Sequence, residues 1–203
     1  EATQTLSFTV SNNNNALFSA QPAVSPTGVL TYTAAATANG SAIVTLSLSD
    51  NGGTANGGID TSAAQTFTIT VTGINDAPSF TAGPNQTVLE DAGAQTVNPW
   101  ATAISAGPPN ESSQVVSFNI TGNTNAALFS APPAVSSSGV LTYTPAANAN
   151  GTATITLVAV DDGGTANGGV DTSPAQSFDI TVTSVNDAPG FTKGPDQNVA
   201  EDA

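Results

Sequence analysis

Fifteen carboxylates and a single basic residue, Lys193, give this chain a formal charge of −14, and the acids are not scattered. Over one domain-sized stretch they fall at Asp76, Glu90, Asp91, Glu111, Asp161, Asp162, Asp171 and Asp179. Most lie at the ends of apolar runs or in Gly-rich loops. Several recur 111 residues away: Asp76 as Asp187, Glu90 and Asp91 as Glu201 and Asp202, Asp161 and Asp171 as Asp50 and Asp60. Asp162 becomes Asn51, which keeps a carbonyl oxygen. Calcium takes about six to eight oxygens from carboxylates, amides and backbone carbonyls. Acidic loops rich in Asn and Gly can supply that set, with glycine letting backbone carbonyls approach closely. Acids brought together would repel, and almost no Lys or Arg is present to offset them, so a divalent cation is the natural remedy. Glu90, Asp162 and Asp187 are read as calcium ligands. Asp91, Asp161 and Asp171 suit a ligand or a turn cap equally. Glu111 and Asp179 are read as solvated residues on strand faces.

Other chemistries are excluded by composition. His, Cys and Met are absent. No Ser-His-Asp or Cys-His arrangement can form, nor a zinc site of the usual ligands. One cation cannot neutralise a run of phosphates, so nucleic acid is not an expected partner. No apolar run approaches the roughly 18 residues of a membrane helix, so membrane insertion is not expected. Paired acids could flank a glycosidic bond, but their recurrence suits a structural role, and no enzyme is expected.

The elements that position these acids come in copies. Residues 16–78 align without a gap to residues 127–189, with 45 identities in 63 positions. Residues 75–92 pair with 186–203 at the same offset, with 13 identities in 18. Such self-similarity marks a repeat architecture. With a repeat starting at NDAP, residues 1–74 form an incomplete copy lacking its first strand. Residues 75–185 form a complete one, and residues 186–203 the first-strand segment of a following copy.

Within a copy, Thr, Val, Ile and Phe alternate in short runs bounded by Gly, Asn, Asp and Pro, which is the strand signature. Residues 67–71, 116–120, 140–144, 154–157 and 178–182 read this way. Residues 86–89 and 95–97 read as a first strand broken by a kink at Gly93. About seven strands in about 110 residues predict an all-β Greek-key sandwich in tandem. Trp100 is a core or loop-packing residue, or a sugar-stacking platform. Tyr32 and Tyr143 hold equivalent strand positions, which predicts packing.

The series VTxxNDAP, then Glu-Asp fourteen residues after the Asp, then D[DN]GG before the last strand, resembles the cadherin-like and immunoglobulin-like tandem repeats of large bacterial surface proteins and adhesins. The resemblance covers the whole chain. It implies extracellular β-sandwiches strung end to end, many of them binding calcium at their junctions. It also implies that Glu90 matches a first-strand Glu ligand, that Asp161 or Asp162 matches a basal loop acid, and that Asn186 and Asp187 match the linker ligands, as Asn75 and Asp76 do one repeat earlier. The DRE triplet of cadherins is missing and the linker carries fewer acids, so one ion per junction is expected rather than three.

Two functions follow as expectations. One is a calcium-stiffened stalk of an extracellular surface protein, whose partners are neighbouring repeats. The other is a filament subunit, in which the C-terminal strand of one chain completes the first repeat of the next by strand addition. A carbohydrate-binding module is a lesser option, since such modules usually show several exposed aromatics.

Overall fold

Alternating β-branched and apolar residues fit a pleated, half-buried surface, and the chain uses them throughout. The computed structural model describes residues 3–201. The first copy contributes β1 (Leu6–Asn12), β2 (Phe18–Val24), β3 (Leu30–Ala34), β4 (Gly40–Asp50) and β5 (Gln65–Val71). Then come four short strands: β6 (Ser79–Thr81), β7 (Gln86–Leu89), β8 (Gln95–Val97) and β9 (Thr102–Ser105). The second copy continues with β10 (Ser117–Asn123), β11 (Phe129–Val135), β12 (Leu141–Pro145), β13 (Gly151–Val160) and β14 (Gln176–Thr183). The fold is all-β.

Sheet order repeats with the sequence. β1-β4-β5 form one sheet and β2-β3 another. The corresponding strands form β10-β13-β14-β7 and β11-β12-β8, so each of the later sheets has one extra strand. β7 and β8 are the two halves expected on either side of Gly93, which takes a left-handed φ of 67°. The kink sends them to different sheets. β7 runs parallel to β14, from Ile180↔Gln86 to Thr183↔Leu89. β8 runs antiparallel to β12. The two prolines of β11 fall on an edge strand whose ladder has register shifts, where a missing N–H is tolerated.

The chain divides into two units. The first takes the chain up to Ser79, together with Ile104–Ser117 and Ala159–Ser173. Its core gathers Leu17, Phe18, Ala42, Val44 and Ile69, flanked by Val10, Phe67 and Val71. The second takes Phe80–Ala103, Phe118–Val158 and the chain from Pro174 on. It buries Trp100, Leu141, Tyr143, Ile155, Leu157, Phe178, Ile180 and Val182.

The equivalent tyrosines do not share one environment. Tyr143 is 2% exposed and Tyr32 is 46% exposed, although each meets a phenylalanine edge-on, at 6.0 and 5.8 Å. Packing holds for Tyr143, whose phenol burial pushes above its ordinary pKa. It holds only in part for Tyr32. The same split separates Leu141, fully buried, from Leu30, 37% exposed. The reason is the extra strand. β12 has β8 beside it, and Gly139, at the turn before β12, accepts the Trp100 and Ala101 N–H groups at 2.8 and 2.9 Å. Among the described residues, β3 pairs only with β2. Residues 186–200, expected as a first-strand segment, take no regular structure.

Candidate cation site

The site forms in the first unit, around the segment that follows β5. A doublet of Asp and Gly ends β13 and starts a tight turn. Asp161 Oδ1 accepts the Gly163 N–H at 2.9 Å, a side-chain turn typical of Asp. The Asp161 N–H donates to the Asp171 carbonyl at 3.0 Å and closes the GGTANGG loop. Asp50 repeats both bonds, with Gly52 at 2.7 Å and Asp60 at 2.9 Å.

Onto this turn comes Asn75. Its Nδ2 donates to Asp161 Oδ1 at 2.9 Å and to the Val170 carbonyl at 2.8 Å. Its Oδ1 accepts Gln114 Nε2 at 2.8 Å. Its backbone carbonyl accepts the Val170 N–H at 2.9 Å. Asp162 Oδ1 accepts the Val115 N–H at 2.8 Å. One residue on, the Asp76 N–H is shared between both Glu111 oxygens, at 3.1 and 3.3 Å. The linker is thus held by side chains from two loops of the unit, the one that carries Glu111 and Gln114 and the one that carries Asp161.

Gly163 makes the approach possible. A Cβ there would run into Asn75 Oδ1, and would lie 2.5 Å from Gln114 Nε2. Gly163→Ala is therefore expected to lower stability by about 1–3 kcal/mol, the usual cost of overpacking a tight contact. Thermal unfolding measures it, and an unchanged midpoint would show that the linker is not pinned here.

Two oxygens in this cluster have no partner. Asp161 Oδ2 and Gln114 Oε1 are both buried and accept no hydrogen bond. Asp161 is only 6% exposed. A buried acceptor left unsatisfied costs about 1–3 kcal/mol, more if charged. Native structures rarely leave one without a water or ion to explain it. The donor set is all oxygen, which suits a hard cation such as calcium rather than a transition metal. Carboxylates do not converge, however: no group of three or more His, Cys, Asp or Glu residues among those described could hold a metal. A cation at this point would lean on Asp161 and amide or backbone oxygens.

The carboxylates of the other acids singled out by sequence make other contacts. Glu90 belongs to the second unit, is buried, and its Oε1 accepts the Val185 N–H at 2.7 Å. Asp91 beside it is exposed. Asp171 accepts its own neighbour's hydroxyl, Thr172 Oγ1, at 2.8 Å, as Asp60 does from Thr61 at 3.1 Å. Asn186, Asp187 and Glu201 are exposed, with one local bond from Asn186 Nδ2 to the Asp187 carbonyl at 3.2 Å. Asp202 lies outside the described residues.

Glu111 corrects the expectation of a solvated strand residue. It ends a 3-10 turn, Pro109–Glu111, and is buried. The double proline before it signals the turn, but nothing local signals that its carboxylate will reach the linker. Gln114 was overlooked. Its signal is recurrence, because Gln4 precedes Ser7 and Phe8 as Gln114 precedes Ser117 and Phe118. The first copy even repeats the neighbouring bond, with the Thr5 N–H on Asn51 Oδ1 at 3.0 Å. Asp179 lies on β14 and accepts Thr154 Oγ1 at 2.7 Å. Trp100 is buried, 4.3 Å from the Phe178 ring, with its indole N–H on the Pro84 carbonyl at 3.1 Å. It packs the core and offers no sugar platform.

No family model matches the sequence, and no curated protein does. Solved structures do match. The chain is similar to human protocadherin-24 EC1-2 at 19% identity, covering 90% of this chain and 84% of that one, with a TM-score of 0.58. A second structure of that fragment gives 0.54 at 19% identity, covering 92% and 85%. Mouse protocadherin-24 EC1-3 gives 0.50 at 16% identity, covering 88% of this chain and 59% of that one. At these identities the likeness shows the fold, which is that of cadherin-type β-sandwich repeats.

Proposed function

We propose that this chain is a non-catalytic repeat region of a large extracellular, adhesion-type bacterial surface protein, in which calcium stiffens the linker after each repeat. The observation that carries the reading is the linker itself. Asn75 and Asp76 are held by Asp161, Gln114, Val170 and Glu111, and two buried oxygens in that cluster, Asp161 Oδ2 and Gln114 Oε1, accept no hydrogen bond. The duplicated sandwiches and their likeness in fold to protocadherin repeats support it. Asp161 and Gln114 would hold the ion. Its role would be to bind N-terminal repeat, linker and loop acids into one element. Such a site works mechanically: it removes backbone freedom rather than transforming a substrate.

The test is thermal unfolding with calcium and with chelator. Extracellular modules bind with Kd of about 10⁻⁴ to 10⁻³ M, so about 10 mM calcium should add about 1.4–2.7 kcal/mol. Asp161→Asn should remove that gain while keeping the shape of the side chain. A wild-type transition indifferent to calcium would remove the metal from the reading.

A further inference from the structure

The Gly-rich loops of the two copies start with a difference of one side chain. The first reads Asp50-Asn51-Gly52-Gly53 and the second Asp161-Asp162-Gly163-Gly164. Asn51 carries an amide where Asp162 carries a carboxylate, so hydrolysis of that amide turns the first sequence into the second. The position does the same work in both copies. Asn51 Oδ1 accepts the Thr5 N–H at 3.0 Å, as Asp162 Oδ1 accepts the Val115 N–H at 2.8 Å.

An Asn followed by Gly can lose its amide without an enzyme. The backbone nitrogen of the glycine attacks the side-chain carbonyl carbon, and glycine has no Cβ to obstruct it. Around Asn51 the fold supplies what such an acyl transfer needs. The Gly52 N–H, on the attacking nitrogen, donates to Asp50 Oδ1 at 2.7 Å. That carboxylate is placed to take the proton as the nitrogen attacks. The Thr5 N–H already sits on Asn51 Oδ1, the oxygen on which negative charge develops. Asn51 and Gly52 are both exposed, so water reaches the site.

Four other Asn residues precede glycine: Asn39, Asn56, Asn150 and Asn167. Asn56 and Asn167 hold ψ of 28° and 24°. That torsion carries the following nitrogen to the far side of the Cα–C bond from Cβ, away from the side chain. Asn39 and Asn150 precede glycines that open β4 and β13, where they pair with Val71 and Val182. Among the described residues, Asn51 is the one of the five whose glycine N–H meets a carboxylate.

We propose that Asn51 is a self-deamidating site, at which the fold converts the loop of the first copy to the Asp-Asp-Gly-Gly of the second. The Gly52 nitrogen bonds to Asn51 Cγ, and its proton passes to Asp50. Asp50 returns the proton to the side-chain nitrogen, the Cγ–Nδ2 bond breaks and ammonia leaves. Water then adds to Cγ of the cyclic imide and the bond from Gly52 nitrogen to Cγ breaks, which restores the peptide and leaves a carboxylate. Opening at the backbone carbonyl instead gives the β-linked isomer of the same mass. Water is the sole co-reactant. One negative charge joins the formal −14, at the place where Asp162 stands in the second copy. The inference is independent of the calcium reading.

Peptide mapping by mass spectrometry tests it, on the full chain aged at neutral pH. The chain made with Asn51→Asp marks the direct product. Asn51 should react before the other four Asn residues that precede glycine. It should also react faster in the folded chain than in the chain unfolded in guanidinium, where the assistance of Asp50 and Thr5 is lost. Asp50→Asn keeps an acceptor for the Gly52 N–H but removes its basicity. It should slow the reaction at Asn51 by about 10²-fold, the low end for a positioned proton acceptor, and leave the rates at Asn56 and Asn167 unchanged. An Asn51 that survives longer in the folded chain than in the unfolded one overturns the proposal. So does a rate at Asn51 that Asp50→Asn leaves unchanged.

Discussion

Trp100→Ala is expected to cost the second unit about 3–5 kcal/mol, the range for truncating a large buried aromatic. The side chain does two things at once: its ring packs at 4.3 Å from Phe178, and its indole N–H donates to the Pro84 carbonyl. Truncation leaves a cavity, while the Pro84 carbonyl keeps its bond from Gln86 Nε2 at 2.7 Å. Space around it is tight, since a Cβ on Gly83 would collide with the Trp100 carbonyl. Trp100→Phe should recover part of the loss, because it refills the cavity without the hydrogen bond. Differential scanning calorimetry reads both variants. A loss below about 1 kcal/mol would place Trp100 among ordinary surface residues and contradict its burial.

The second large effect is a contrast between copies. Leu30 and Leu141 sit in the same GVLTYT segment, on equivalent strands. Leu141→Ala should cost about 2–5 kcal/mol, because the site is closed on all sides and cannot collapse freely. Leu30→Ala should cost about 1 kcal/mol, since a side chain already 37% exposed loses little transfer energy and leaves no enclosed cavity. Identical local sequence thus gives unlike energetics, and the difference measures what β8 and Trp100 contribute. Equal losses would mean that another segment covers β3 in solution. The same pair of variants therefore reports on any strand that closes the first unit from outside.

Much of this architecture was legible in the chain. Period-2 alternation in residues 67–71 and 178–182 requires one face to be buried, and both became strands, β5 at the edge of its sheet and β14 inside its own. Gly93 was legible as a break because only glycine adopts its φ of 67° at no steric cost. The long-range repeat was legible because two copies must solve the same packing problem.

The site was less legible. Asp161 could be picked out by its place before two glycines, but the pattern of acids suggested a gathering of carboxylates. The fold instead spends several of them on backbone N–H groups: Asp161 on Gly163, Asp162 on Val115, Glu111 on Asp76 and Glu90 on Val185. That use is local in chemistry but distant in sequence, with Asn75 and Asp161 separated by 86 positions. Spacing along the chain carries no record of such a meeting. Gln114, an uncharged residue with no motif around it, became part of the cluster only because Asn75 arrives beside it.

What the sequence determined by itself was strand content, repeat period, core-facing residues and the exclusion of phosphate-binding and histidine- or cysteine-based chemistry. These depend on residue type and short periodicity, which act within a few positions. Tertiary structure alone decided which acids accept distant backbone N–H groups, that β7 and β8 part to different sheets, and that Leu30 and Tyr32 stay open while Leu141 and Tyr143 close. Those outcomes depend on which distant segment lies alongside. Burial and hydrogen-bond satisfaction are properties of neighbours in space, and two copies with the same residues can have different neighbours.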